Sequence, residues 1–254
     1  MTTLPSISII TCTWNSAEFL PQTIESVLNQ TYTPFEFIFV DGGSTDGTLN
    51  LIKSVPGNVK VLHNVQGGIS NAMNAGIEIA TGDIVAHLHS DDFYINNTVL
   101  QDVAESFKNS KTEWLFGSYM NLINNNLEAI PYKIPIYSYK TLIKRNFIPH
   151  PATFIKRTLL EKCGRFNTNY RYAMDYDLWL RLGKISHPIQ LNIPLVVFRR
   201  HEGSLSTSQP LAALQEDFKI RLSLSDMPFT DKLIHSVRYF VRKSKIEKQL
   251  RTKL

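Results

Sequence analysis

Short apolar runs of strand character alternate with segments of helical period through the first hundred residues, and this alternation leaves the chain few architectures. Residues 6–13 form a β-branched run. Leu20, Ile24, Val27 and Leu28 then recur at helical spacing within 19–30. A second apolar run, 35–40, stops at Asp41, and Gly42, Gly43 and Gly47 break the chain before a short helix at 48–54. Residues 59–63 give a third strand. After Gly67 and Gly68, the residues Ile69, Met73, Ile77 and Ala80 mark one face of a helix that Gly82 stops. Residues 83–88 supply a fourth strand, followed by His89-Ser90-Asp91-Asp92. Strands joined by helices over short connections predict an α/β fold, a mostly parallel sheet flanked by helices. Ligands of such sheets sit beyond the strand carboxyl ends, where Asp41 and the Asp91-Asp92 pair both fall.

The second half is less regular. Strands are expected at 114–119, 152–156 and 191–199, a hairpin or loop at 121–132, and a helix starting at 175–182 with Asp175 and Asp177 in its first turn, where negative charge is favoured. No stretch approaches the roughly 20 apolar residues of a membrane span, and the opening run reads as a strand rather than a signal peptide. Two cysteines, Cys12 and Cys163, without metal-ligand spacing point to a reduced, cytoplasmic protein. The net charge of +5 is uneven: residues 232–254 hold eight basic side chains against Glu247 alone, which leaves the preceding residues slightly acidic. That distribution argues against a nucleic-acid partner. Leu233, Val237, Phe240 and Val241 lie at helical spacing among those bases, so 211–254 is expected to be a helical, basic C-terminal extension to a domain at 1–210. Such a helix either lies on an anionic bilayer, a peripheral contact at the inner membrane face, or packs on the body by its apolar stripe.

The ordered set of motifs is more specific than any one of them. Ser8-Ile9-Ile10-Thr11-Cys12-Thr13-Trp14-Asn15, Val40-Asp41-Gly42-Gly43-Ser44-Thr45-Asp46-Gly47, Gly67-Gly68-Ile69-Ser70-Asn71-Ala72-Met73-Asn74, His89-Ser90-Asp91-Asp92, Met174-Asp175-Tyr176-Asp177-Leu178-Trp179 and Phe198-Arg199-Arg200-His201 follow one another along residues 6–206. Together they resemble family-two glycosyltransferases. The resemblance implies a GT-A-type, Rossmann-like fold and transfer of a sugar, with inversion, from a nucleotide-diphosphate sugar to an acceptor hydroxyl. It also implies a divalent cation, Mg2+ or Mn2+, and a saccharide or lipid-linked saccharide acceptor in surface polysaccharide or glycolipid assembly.

Chemically, such a reaction needs neutralisation of the leaving diphosphate and one carboxylate to take the acceptor proton. By the resemblance, Asp175 is that base, with Asp177 its rival and helix capping the structural alternative for both. Asp92 is placed on the cation and Asp91 near the ribose, with His201 a further candidate metal or diphosphate contact. Thr13, Trp14, Asp41 and Asn71 are placed on the nucleotide. Asp41 accepting from a uracil N–H would favour UDP donors, but a carboxylate ahead of Gly-Gly-Ser also suits a turn cap. His150 is placed on the acceptor side and Arg200 on phosphate; a loop hydrogen bond explains His150 equally well.

Two departures stand out. His89 replaces the Asp or Asn common at that place, and Met174 replaces the Glu that often precedes the base. The second keeps a non-catalytic nucleotide-sugar-binding module open. A nucleotidyltransferase would need a Gly-rich, Arg-containing loop after the first strand, and Trp14-Asn15-Ser16-Ala17 has neither residue. A dinucleotide oxidoreductase would need Gly-x-Gly-x-x-Gly, which the Asp41 turn does not match.

Overall fold

The computed structural model describes residues 4–251 except 34, 109, 125, 130–132, 202–208 and 226. Residues 202–206 of the closing motif, 130–132 of the expected hairpin and Lys253 of the basic tail lie outside the described residues. The chain begins with β1 (Ile7–Thr13), α1 (Leu20–Leu28), β2 (Phe35–Asp41), α2 (Thr48–Lys53), β3 (Val59–Leu62), α3 (Ile69–Ile79) and β4 (Ile84–His87). These seven elements fall where the alternation predicts them. The rest comprises β5 (Phe93–Tyr94), α4 (Val99–Lys108), β6 (Trp114–Ile123), β7 (Asn126–Ala129), α5 (Tyr139–Lys144), a 3-10 turn (His150–Ala152) and β8 (Thr153–Lys156). It closes with α6 (Arg157–Cys163), α7 (Met174–Ile185), β9 (Ile189–Arg199), α8 (Pro210–Ser223) and α9 (Phe229–Arg251).

One sheet runs through the described residues in the order β3-β2-β1-β4-β8-β6-β9-β5, with β7 paired to β6. The β3-β2-β1-β4 half is parallel throughout. Beyond β4 the pairing is mixed: β8 runs antiparallel to both β4 and β6, while β9 is parallel to β6 and antiparallel to β5. The chain leaves β1 toward β2 on one side and returns to β4 on the other. This makes the gap beyond the carboxyl ends of β1 and β4 the topological switch point, where ligands of such sheets bind.

Both faces of the parallel half are covered, and its strands therefore read as unbroken apolar runs. In β2, Phe37 and Phe39 enter the layer under α1, α2 and α4, while Ile38 and Val40 enter the layer under α3 and α7. Each such side chain contributes about 1.5–3 kcal/mol on burial. A Cβ on Gly76 would sit 2.5 Å from the Ile10 side chain, so glycine there lets α3 lie close on β1.

Helix α8, at the start of the expected 211–254 extension, packs on the residues before it. Ile220 of α8 belongs to the same core layer as Tyr176 and Leu180 of α7. The buried Arg221 guanidinium donates to the Tyr176 hydroxyl at 3.0 Å and to the Ile143 carbonyl at 3.1 Å. Only α9 projects a largely exposed face. No helix among the described residues is long and apolar enough to cross a membrane.

Candidate active site

The turn after β2 is built around Asp41, which is 1% exposed. Its Oδ1 accepts from the Gly43 and Ser44 amides at 2.9 and 2.8 Å, and its Oδ2 from the Ser44 and Thr13 hydroxyls at 2.5 and 2.9 Å. Gly43 turns the chain at φ +96°, which favours glycine. Burial by itself raises the Asp41 carboxyl, but the Ser44, Thr13 and Gly43 donors outweigh it and hold the group below its usual range. Four donors meet the Asp41 carboxylate, so it shapes the turn at the carboxyl end of β2, the place expected to meet the nucleobase. Thr13 is likewise buried beneath the turn and committed to Asp41. Trp14, the next residue, stands out of the turn at 70% exposure beside Gly42, a free aromatic face at the switch point.

The β4 end separates its two aspartates. Asp91 is half-buried, and its Oδ2 lies 2.9 Å from His201 Nε2. Asp92 is fully buried: its Oδ1 accepts from the Arg199 amide at 3.0 Å, and its Oδ2 has no hydrogen-bond partner among the described residues. Burial, then the neighbouring Asp91, pushes the Asp92 carboxyl well above the usual range. Asp92 thus pins the end of β9 and sets His201 beside Asp91. Asp91 with His201 is the more exposed pair at this strand end. Thr23 fixes the turn from below, donating to the Ser90 and Asp92 carbonyls at 3.0 and 2.8 Å. The Ser90 hydroxyl reaches that of Ser16 in the turn after β1 at 3.0 Å. Arg199 packs over the Phe19 ring, which also meets the His201 ring. Among the described residues no group of three or more His, Cys, Asp or Glu side chains could hold a metal ion.

Asp175 occupies the first turn of α7. The Asn146 amide faces its carboxylate at 3.3 and 3.4 Å, and the Tyr176 amide donates to Oδ1 at 2.6 Å. Burial outweighs both donors and drives the carboxyl up to about 7. Asp177 is taken: Arg181 pairs with it at 2.9 Å while donating to the carbonyls of Cys163, Gly164 and Arg165. It ties α7 to the end of α6. Asp175 accepts within the first turn of its own helix, and Glu216 of α8 holds the backbone just ahead of it. The Glu216 carboxylate accepts from the Arg171, Tyr172 and Ala173 amides at 3.0, 2.6 and 2.9 Å, three successive N–H groups ahead of α7.

A histidine cluster bridges the β4 end and α7. The buried His150 ring lies 5.4 Å from His87, 5.1 Å from His89 and 5.7 Å from Trp179, centroid to centroid. Burial, then the other two histidines, holds His150 neutral. Contacts therefore run from the β1 turn through Ser16 and Ser90 to the β4 end, and through His89, His150 and Trp179 to the helix bearing Asp175. Two further candidates fall at the margins. Asn71 donates from its amide to the Gln66 carbonyl and closes the Gly67 turn. Arg200 is exposed and donates to Asn121 on β6 at 2.9 Å. Asn146 and Glu216 escape sequence reasoning: each is a lone polar residue outside the motifs, and its meaning comes from a partner 29 or 43 positions away.

A mostly parallel sheet flanked by helices, with its site at the switch point, is a GT-A-type fold, and solved glycosyltransferase structures share it. The chain belongs to glycosyl transferase family 2, whose pattern matches residues 8–164. It is 32% identical over 182 residues to the PGL/p-HBAD biosynthesis glycosyltransferase of Mycobacterium bovis, covering 70% of this chain and 69% of that one. Staphylococcus aureus TarS 1–349 in complex with UDP-GlcNAc superposes with a TM-score of 0.73 at 19% identity, over 92% of this chain and 71% of the other. The mannosyltransferase PcManGT of Pyrobaculum calidifontis, in complex with GDP-Man and Mn2+, gives 0.67 at 19%, over 94% and 70%.

Proposed function

We propose that this glycosyltransferase moves a sugar from a UDP-sugar to an acceptor hydroxyl with inversion of the anomeric carbon, Asp175 taking the acceptor proton. The observation that carries this reading is the Asp175 carboxyl, enclosed at the first turn of α7 and titrating at about 7, where a general base is most effective. The nucleotide sits beyond the β1 and β4 ends, with Trp14 as the face on which the base stacks. UDP as the nucleotide is supported by the complex of the Staphylococcus protein with UDP-GlcNAc.

Asp91 and His201 would hold the cation. One carboxylate and one imidazole suit Mn2+ or Mg2+ when diphosphate oxygens and water complete the shell. Bound there, a divalent cation neutralises charge on the leaving diphosphate. The protein side of the chemistry is then narrow: Asn146 orients the Asp175 carboxylate, Glu216 fixes the backbone before it, and His150 walls the acceptor side as a neutral ring. Similarity to the mycobacterial PGL/p-HBAD enzyme supports a role in surface glycolipid or polysaccharide assembly. Two free cysteines, Cys12 and Cys163, are in keeping with action in the cytoplasm.

The test is Asp175→Asn, assayed for UDP release in the presence of acceptor and, separately, for UDP binding by calorimetry. The reading requires loss of transfer by about a hundredfold or more with binding unchanged. Transfer near the wild-type rate overturns the base assignment. Binding without transfer by the wild-type protein, across a panel of UDP- and GDP-sugars and acceptors, would instead make it a binding module.

A further inference from the structure

The C-terminal helix α9 has two faces. One packs on α8, with Tyr239 stacked on Phe218 at 4.2 Å and His235 buried. The other faces outward and is apolar: Phe229, Leu233, Val237, Phe240 and Val241 are all more than half exposed, Phe229 at 82% and Phe240 at 63%. At 3.6 residues per turn these five share one stripe. Arg238 and Lys245 follow one edge of the stripe, Lys232 and Lys243 the other. Beneath the helix, between α5, α8 and α9, lies a cavity of about 210 Å³ lined by Lys144, Arg221, Arg238, Arg242 and His235, with apolar wall from Phe218. Asp217 is engaged by Arg221 at 3.0 Å and also lies in the field of Arg242, and Asp231 faces His235. Lys144, Arg238 and Arg242 meet no carboxylate at ion-pair distance among the described residues.

An apolar stripe left in water beside unmatched cations has a complementary surface in an anionic bilayer, where acyl chains lie below a layer of phosphate. We propose that α9 and the cavity beneath it are a docking site for an anionic phospholipid surface: the stripe enters the interface and the cavity cations take a lipid phosphate. The site adjoins the acceptor side of the enzyme. Arg221 in the cavity wall bonds to Tyr176, the neighbour of Asp175, and Lys144 lies two residues from Asn146. A bilayer held there would bring a membrane-borne hydroxyl to the face where Asp175 sits, but the docking stands whether or not the proposed reaction does.

Co-sedimentation of the full chain with vesicles tests this. The protein is expected to pellet with vesicles of equal phosphatidylglycerol and phosphatidylcholine, to remain in solution with phosphatidylcholine alone, and to be released as salt rises. Leu233→Ser with Phe240→Ser, and separately Arg238→Glu with Arg242→Glu, should each lower partitioning about tenfold or more. UDP binding measured without vesicles should not change, which separates loss of docking from loss of the fold or of the donor site. Excess inorganic phosphate should compete only weakly, because it offers no apolar phase. Equal pelleting with both vesicle types, pelleting with neither, or full partitioning by both double variants overturns the proposal. So does concentration-dependent dimerisation abolished by the serine pair, which would give the stripe to a second copy of the chain.

Discussion

Asp175 is ionised or not according to a balance that the residue itself displays: enclosure raises its carboxyl, and the Tyr176 amide and Asn146 oppose it. Since the ionised form takes the proton, transfer should rise with pH through about 7 and level off above it. Asn146→Ala removes a donor to the charged form, so the midpoint should move upward; a pH–rate profile measured under saturating donor reads both. The two aspartates after β4 should separate just as clearly. Asp91→Ala should keep the fold and weaken Mn2+-dependent UDP binding, whereas Asp92→Ala should cost about 1–3 kcal/mol of stability by freeing the Arg199 amide. Melting curves alongside Mn2+ titrations distinguish them. Sequence places these residues at the right strand ends but says nothing of direction, because neighbours in a turn point opposite ways. The full burial of the Asp92 carboxylate and the four donors around Asp41 are therefore not legible in the sequence.

Helix α7 starts at Met174 without a side-chain cap from Ala173, and Glu216 on α8 accepts from the Ala173 amide and the two before it. Three amides held by one carboxylate fix the backbone two residues ahead of Asp175. Glu216→Ala should lower kcat by about tenfold while leaving KM for the donor near wild type, with a stability loss of about 1–2 kcal/mol as for a lost cap. Glu216→Gln, which keeps an acceptor oxygen, should recover part of kcat. Steady-state kinetics on both variants checks this, and an equal loss in donor KM would mean that α8 acts elsewhere. The elements themselves were unequally legible. Strands β1 to β4 announce themselves by short apolar runs set between segments of helical period. The two-residue β5 and the six-residue α5 are too short for a period to emerge. Helix α8 carries its buried Leu214, Ile220 and Arg221 among polar residues without a clean stripe, so residues 211–223 read as part of a tail although they brace the catalytic helix.

Across the whole molecule, the sheet carries its site at one end and a charged staple at the other. Glu36 of β2 is buried at 3% exposure and pairs with Lys60 of β3 at 2.6 Å. It also accepts from the Ser8 hydroxyl of β1 and the Thr81 amide before β4, at 2.6 Å each. Burial opposes ionisation, but Lys60, Ser8 and Thr81 prevail and hold the carboxyl at about 2. A depressed folded pKa stabilises the protein above the unfolded value, near 4.5, and that contribution is lost as pH falls toward 2. Glu36→Gln should therefore be less stable at pH 7, by about 1–3 kcal/mol, and lose less stability than wild type between pH 4.5 and 2. Denaturant titrations across that range measure it. With the parallel strands stapled at their amino ends, the loops at their carboxyl ends can be assembled from α1, β9 and α7 without disturbing the sheet. The central claim, single displacement at that end with Asp175 as base, fixes the stereochemistry of the product. Proton NMR of the product formed from an α-linked UDP-sugar measures it directly: the account predicts a β-linked anomeric proton, and an α-linked product would contradict it.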